Sequence, residues 1–176
     1  MRDEIISAKL CPKGYGLFAQ GIKTMRQEKF YIAYGSNLHI RKMKERCPQA
    51  RIIGTAVLKD YRLLVRRGDS GAYLTIEPKK GDFVPVGVWA VAPEDEAALD
   101  EYEGFPRLYE KKEMRLPVTL RETGETKDCR AFFYVMYQEY PLGSPTEEYK
   151  ETCRQGYRDF GFDESVLEAA LTNSRR

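Results

Sequence analysis

Two short stretches hold side chains whose type and spacing could support proton transfer or anion binding. The first is Tyr34-Gly35-Ser36-Asn37-Leu38, where an apolar run ends, the chain turns on a glycine and a helical pattern begins. Gly35 permits a close or left-handed backbone, and Ser36 or Asn37 can cap the helix that follows. Unpaired N–H groups and a positive dipole end suit such a turn to a carboxylate or phosphate. An ordinary capped strand-to-helix turn carries the same pattern. The second stretch is the acidic helix running from Glu94 to its stop at Gly104. Glu94, Asp95 and Glu96 suit the positive end of that helix and need no further account. Glu103 faces the negative end. That field, with partial burial, is expected to raise its pKa towards a value useful for acid–base work. Glu96 lies on the same face one heptad earlier, so position along the helix, not periodicity, separates the two. A solvated acidic face is the competing account, and it serves for most of these acids.

Other candidates are weaker or excluded. Tyr109 follows Glu103 by six residues and enters a strand, but with twelve tyrosines present any single one is commonly a packing residue. Tyr149 closes Pro145-Thr146-Glu147-Glu148-Tyr149, which reads as a helix start capped by Thr146. His39 and Cys47 sit eight residues apart along one helix, too far to form a nucleophile–base pair. The basic residues between 41 and 51 read as a solvated helix face. His39 is the sole histidine, and Cys11, Cys47, Cys129 and Cys153 are widely spaced without a CxxC pair. Reduced packing cysteines and no metal site are expected. No GxGxxG or phosphate-loop motif occurs, and no cofactor is expected.

Lys plus Arg total 29 against 27 Asp plus Glu, interspersed along the chain, so neither nucleic acid nor membrane is an expected partner. A hydrophobic fraction of 42% over 176 residues suits one globular domain with a real core. The N-terminus lacks the apolar stretch of a secretory leader, which makes a cytoplasmic location the expectation. Oligomeric state is left open.

These candidates need elements to hold them. Residues 1–29 read as an N-terminal extension without a catalytic group, and residues 30–176 as the domain. The pattern gives a strand at Phe30 to Tyr34, then a helix of about ten residues whose core face includes Ile40, Met43 and Cys47. Strands follow at Ile52 to Leu58, Tyr61 to Val65, Ala72 to Ile76 and Val84 to Val91, with turns at Gly68 to Gly71 and Pro78 to Asp82. A helix from Pro93 to Tyr102 would bury Ala98, Leu99 and Tyr102. Strands at Glu113 to Leu120 and Cys129 to Met136 join through Thr123 and Gly124. Helices close the chain at Glu147 to Phe160 and Glu164 to Leu171. The sum is one α+β domain, with a curved or closed, mainly antiparallel sheet and helices outside it.

The run Phe30-Tyr31-Ile32-Ala33-Tyr34-Gly35-Ser36-Asn37-Leu38 resembles the opening signature of the γ-glutamylcyclotransferase-like, or AIG2-like, family. Leu99-Asp100-Glu101-Tyr102-Glu103-Gly104 is similar to that family's LD-x-x-EG segment, and Gly81 to Ala90 to the strand before it. The resemblance spans about Phe30 to Tyr149. It implies a small β-barrel flanked by helices and a pocket where the Tyr34–Leu38 loop meets Glu103. By position, Gly35, Ser36, Asn37 and Leu38 would cradle a γ-glutamyl group, Glu103 would be the acid–base residue, and Tyr109 and Tyr149 would lie near the substrate. The implied reaction turns a γ-glutamyl amine or amino acid into 5-oxoproline and a free amine, without cofactor. A binder that does not turn its ligand over is the alternative within the same fold, though such a protein has little use for a glutamate at a helix C-terminus. A protein-interaction module would need an exposed apolar patch.

Overall fold

The computed structural model describes residues 28–173, so the expectations for Cys11 and for the extension up to residue 27 lie outside the described residues. The chain enters strand β1 (Lys29–Ala33), passes a 3-10 turn at Ser36–Leu38 and forms helix α1 (Ile40–Arg46). A long hairpin follows, β2 (Arg51–Gly68) and β3 (Gly71–Val91), then α2 (Pro93–Glu103). Strands β4 (Tyr109–Leu120) and β5 (Thr126–Met136) make a second hairpin. Helices α3 (Glu147–Phe160) and α4 (Ser165–Asn173) complete the fold. The strands close a barrel in the order β1-β3-β2-β4-β5. Only the β1–β5 seam is parallel. No helix among the described residues is long and apolar enough to cross a membrane.

The four strands expected between residues 52 and 91 are two. Tyr61 resumes pairing with Pro78 after a register shift, and the ladder runs on to the Asp69-Ser70 turn. The Pro78–Asp82 stretch read as a turn is a bulge within β3. Asp60 (φ 61°) and Gly81 (φ 89°) take positive φ across from each other, and the Asp60 carboxylate accepts the Gly81 N–H at 2.9 Å. Glycine carries that conformation at little cost, and an aspartate tolerates it by bonding locally. A bulge bends a strand without ending it, and a barrel needs such bends to close. The barrel interior holds Val65, Val84, Val86 and Val88, all fully buried.

The seam between β2 and β4 is narrow. Gly54 pairs with Leu120 and Thr55 with Thr119, helped by the Arg121 N–H to the Ile53 carbonyl at 2.8 Å. A Cβ on Gly54 would stand 2.0 Å from the Thr119 carbonyl oxygen. Glycine is therefore what lets the two backbones meet.

Around the barrel, α1 is shorter than expected and starts later. Met43 and Cys47 are fully buried and Ile40 packs against the same core. Burying a side chain of Met43's size contributes about 1.5–3 kcal/mol. Neither Ser36 nor Asn37 caps α1. The Ile40 N–H is instead bonded by the Asp159 carboxylate of α3 at 2.9 Å, because the two polar side chains of the turn point elsewhere. Tyr102, expected in the core, is 46% exposed, while Leu99 of the same helix is fully buried. The helix start at Thr146 is as read, its hydroxyl accepting the Tyr149 N–H at 3.3 Å.

Candidate active site

The Tyr34–Leu38 turn is buried throughout. It is held from behind by α3, where Gly156 lets the helix lie against the turn. A Cβ there would come within 2.7 Å of the His39 nitrogen and of Leu38 Cβ. Leu38 is the anchor of that contact and is fully enclosed. It packs away from the cleft, whereas its neighbours line it. Gly35 has φ −128°, so the left-handed backbone expected for it does not occur. A Cβ there would sit 3.5 Å from the Leu74 side chain and from the Tyr149 hydroxyl, an ordinary contact distance, so a methyl would fit and a larger, branched side chain would crowd both. The N–H groups of Ser36 and Asn37 find no backbone acceptor among the described residues.

Across the cleft, α2 ends at Glu103 because Gly104 takes a left-handed conformation at φ 67°, its N–H bonding back into the last turn. The Glu103 Oε1 accepts a hydrogen bond from the Asn37 Nδ2 at 2.8 Å. The same amide nitrogen donates to the Tyr31 hydroxyl at 2.8 Å. Arg46, at the end of α1, donates to the Asn37 Oδ1 and lays its guanidinium 3.3 Å from the Tyr102 ring centroid. The Glu103 residue keeps some exposed surface, but protein surrounds its carboxyl. Burial pushes its pKa up to about 7, with Arg46 and the Asn37 hydrogen bond pulling the other way. The direction matches the expectation from the helix end, and desolvation is its cause.

Glu96 makes the contrast. Burial would raise its carboxyl too, but Lys29 and Lys111 outweigh this and hold it below the ordinary value, at 2.8 Å and 2.9 Å. It is a fair comparison for catalysis and a poor one for stability, since it ties α2 to β1 and β4.

The two tyrosines expected near a substrate, Tyr109 and Tyr149, line the same cleft as Tyr34, Gly35, Ser36 and Asn37. Both grip the main chain of Leu74 on β3. Tyr109 donates to its carbonyl at 2.8 Å, and Tyr149 accepts its N–H at 3.1 Å. Tyr34 donates to the Tyr134 carbonyl at 2.6 Å.

Three participants escaped the sequence reading. Tyr31 and Tyr134 line the cleft from β1 and β5. Tyr134 also donates to Asp100 at 2.5 Å, and Lys111 pairs with the same carboxylate at 2.6 Å, which pins α2 to the barrel three residues before Glu103. Arg46 was assigned to a solvated face and is not on one. A signal existed: it lies three residues after Met43 and one before Cys47, flanking the buried stripe. Among the described residues no cluster of His, Cys, Asp or Glu suits a metal ion.

Size alone would not select this place. The cleft offers about 20 Å³, against about 360 Å³ for a hollow lined by Phe83, Leu142 and Val166. Only the smaller one holds a desolvated carboxyl facing a polar turn. In so narrow a cleft an added side chain is decisive. Gly35→Val is expected to keep the fold and to weaken binding of 5-oxoproline about tenfold or more, read by calorimetry on a variant shown to be folded by circular dichroism. Binding at the parental affinity would mean that the turn does not contact the ligand.

A closed five-stranded barrel with a buried turn after its first strand and a glutamate presented by a helix end defines the class of protein. Comparison with known sequences agrees. The family model described as "Gamma-glutamyl cyclotransferase, AIG2-like" matches residues 31–153. A mouse protein named γ-glutamylcyclotransferase is 30% identical over 146 residues, covering 78% of this chain and 74% of its own. The human protein of that name is 28% identical over 144 residues, covering 77% and 73%. A solved structure titled γ-glutamyl cyclotransferase superposes with a TM-score of 0.66 at 26% identity, covering 82% of this chain and 86% of that one. The chain belongs to the γ-glutamyl cyclotransferase, AIG2-like family.

Proposed function

We propose that this protein is a γ-glutamylcyclotransferase that releases 5-oxoproline from a γ-glutamyl amine or amino acid, with Glu103 as its proton-transfer group. The observation that carries the reading is the Glu103 carboxyl, desolvated to a pKa of about 7 and facing the Tyr34–Asn37 turn.

A γ-glutamyl amide brings its own nucleophile. Its α-amine attacks the γ-carbonyl carbon, a carbon–nitrogen bond closes the five-membered ring, and the original amide bond breaks to free the amine. The protein folds the substrate so that amine and carbonyl meet, which supplies much of the rate. Glu103 Oε1 is occupied by Asn37, which leaves Oε2 to take a proton from the α-ammonium and return one to the departing nitrogen. A carboxyl with a pKa near 7 is suited to both transfers at neutral pH. The N–H groups of Ser36 and Asn37, without a backbone acceptor among the described residues, would receive the substrate carboxylate or the developing oxyanion. The family match, together with a narrow cleft walled by polar groups and tyrosines, supports small γ-glutamyl compounds as the substrate class.

The test is direct. The purified protein is incubated with a panel of γ-glutamyl amino acids, γ-glutamyl amines and γ-glutamyl-lysine, and 5-oxoproline is measured by mass spectrometry. Release from at least one, with kcat/KM rising as pH passes through about 7, is the expected result. Tight binding of a panel member without release would favour the binder over the enzyme.

A further inference from the structure

We infer that Arg46 is a positioning residue of this site: it fixes the side-chain amide of Asn37, which holds one oxygen of Glu103 and leaves the other free to work. The inference rests on the reading of Glu103 as the proton-transfer group.

The argument begins with the direction of an amide. An asparagine side chain presents an acceptor on one side and two donors on the other, whereas a guanidinium has donors only. The Arg46 Nη1 contacts the Asn37 side chain, so the amide oxygen must face it. Both amide protons then point the other way. There they meet two acceptors, the Glu103 Oε1 and the Tyr31 hydroxyl, each at 2.8 Å. Were the amide reversed, its oxygen would confront the Glu103 carboxylate and its protons the Arg46 cation, and both contacts would repel. Arg46 is itself held in place. Its guanidinium carbon lies 3.3 Å from the Tyr102 ring centroid, and Tyr102 stands one residue before Glu103 on α2. One side chain therefore links the end of α1, the turn and the end of α2.

The electrostatics point the same way. The Glu103 carboxylate acts on Tyr31 and Tyr34 from β1 and its turn, Tyr109 from β4, Tyr134 from β5 and Tyr149 from α3. Burial holds all five hydroxyls above the usual phenolic range, so they are neutral at working pH. Arg46 is the one cation among the described residues that acts on the Glu103 carboxyl.

The experiment uses Arg46→Met, Arg46→Gln and Arg46→Lys in the full chain. Titration of Glu103 is followed by carbon NMR in protein labelled at the glutamate carboxyls, its signal assigned by its absence in Glu103→Gln. In parallel, kcat and KM are measured against pH on a γ-glutamyl compound that the parent turns over. In the Met and Gln variants Glu103 is expected to titrate higher by about half a unit or more. The acidic limb of kcat/KM should move with it, and kcat should fall about tenfold with little change in KM. The Lys variant keeps the charge and a donor, and is expected to titrate close to the parent. A folded Met or Gln variant with parental titration and parental kcat would overturn the inference and leave Arg46 a packing residue on Tyr102. Should the Met variant fail to fold, the Gln variant carries the same expectation, and a Lys variant shifted as far as Gln would count against the inference. Titration reads the free protein, so it separates the two claims. A shifted titration alongside a fully active Glu103→Gln sinks the role of Glu103 and keeps the network. An unshifted titration alongside an inactive Glu103→Gln does the reverse.

Discussion

Glu103→Gln is expected to lose about a hundredfold or more in turnover, and to be more stable than its parent at pH 8. Glutamine keeps the volume and the oxygen that accepts from Asn37, so the fold has no reason to change. What goes is the titratable proton. The stability gain follows from the same desolvation that makes the group useful. The folded pKa is about 7, against an ordinary value of 4.5. Between those values the folded chain keeps a proton that the unfolded chain has released. Stability therefore falls as pH rises through that window, and the full cost stands above pH 7. That cost is about 1–3 kcal/mol at about 1.4 kcal/mol per pH unit, reduced by the group's residual exposure. Denaturant melts of parent and variant at pH 5 and pH 8 check it, with the gain much larger at the higher pH. Retained turnover on a confirmed substrate would remove Glu103 from the mechanism. An equal gain at both pH values would mean that packing, not charge, separates the two proteins. Glu96→Gln serves as the comparison for turnover, which it should leave intact, while it loses some stability with its two lysine contacts.

Gly54→Ala is expected to cost about 3 kcal/mol or more, a larger loss than most glycine replacements within a strand. The alanine methyl would have to occupy a point 2.0 Å from the Thr119 carbonyl oxygen, and that obstacle is backbone, which cannot rotate aside. The seam it would force apart rests on Gly54–Leu120 and Thr55–Thr119. Opening it would expose Val118, which is fully buried, and separate β4 from the long hairpin. Thermal melts of Gly54→Ala and of Gly81→Ala make the comparison. Nothing lies within 4 Å of a Cβ at Gly81, although its φ of 89° leaves some strain, so the milder effect is expected there. Equal midpoints for parent and Gly54→Ala would show that the seam relaxes freely.

The parts of this structure legible in the sequence are those fixed locally. Although the expected helix stopped one residue short, at Tyr102, Glu103 stood out as a candidate because an acidic start and a stop glycine put it at the C-terminal end of a helix. The same held for α3, whose start at Thr146 is a cap and whose end at Gly161 is a left-handed glycine. Tyr109 was recognisable only through family resemblance. The features that were missed depend on distant partners. The bulge at Asp60 exists because Gly81 lies across from it, 21 residues on. Gly54 looks like any glycine in a strand until Thr119 is set beside it. Arg46 reads as one more basic residue on a charged helix, because nothing local says that Tyr102 and Asn37 will converge on it. Tyr31 and Tyr134 were hidden by their strands, where alternating aromatics are read as packing.

The grip of Tyr109 and Tyr149 on Leu74 has a bearing on how such a site can change over generations. Both hydroxyls hold peptide groups, and every residue supplies the same peptide groups. The two hydrogen bonds therefore do not depend on which side chain stands at residue 74, although Leu74 itself is buried in the core and lines the cleft. Descendants of this protein can remodel the shape of the recess at that position while inheriting the frame around it. The reverse does not hold, because losing either phenol leaves a main-chain group of Leu74 without that partner. The shape of the wall and the hydrogen bonds of the frame are in this way assigned to different atoms of one residue.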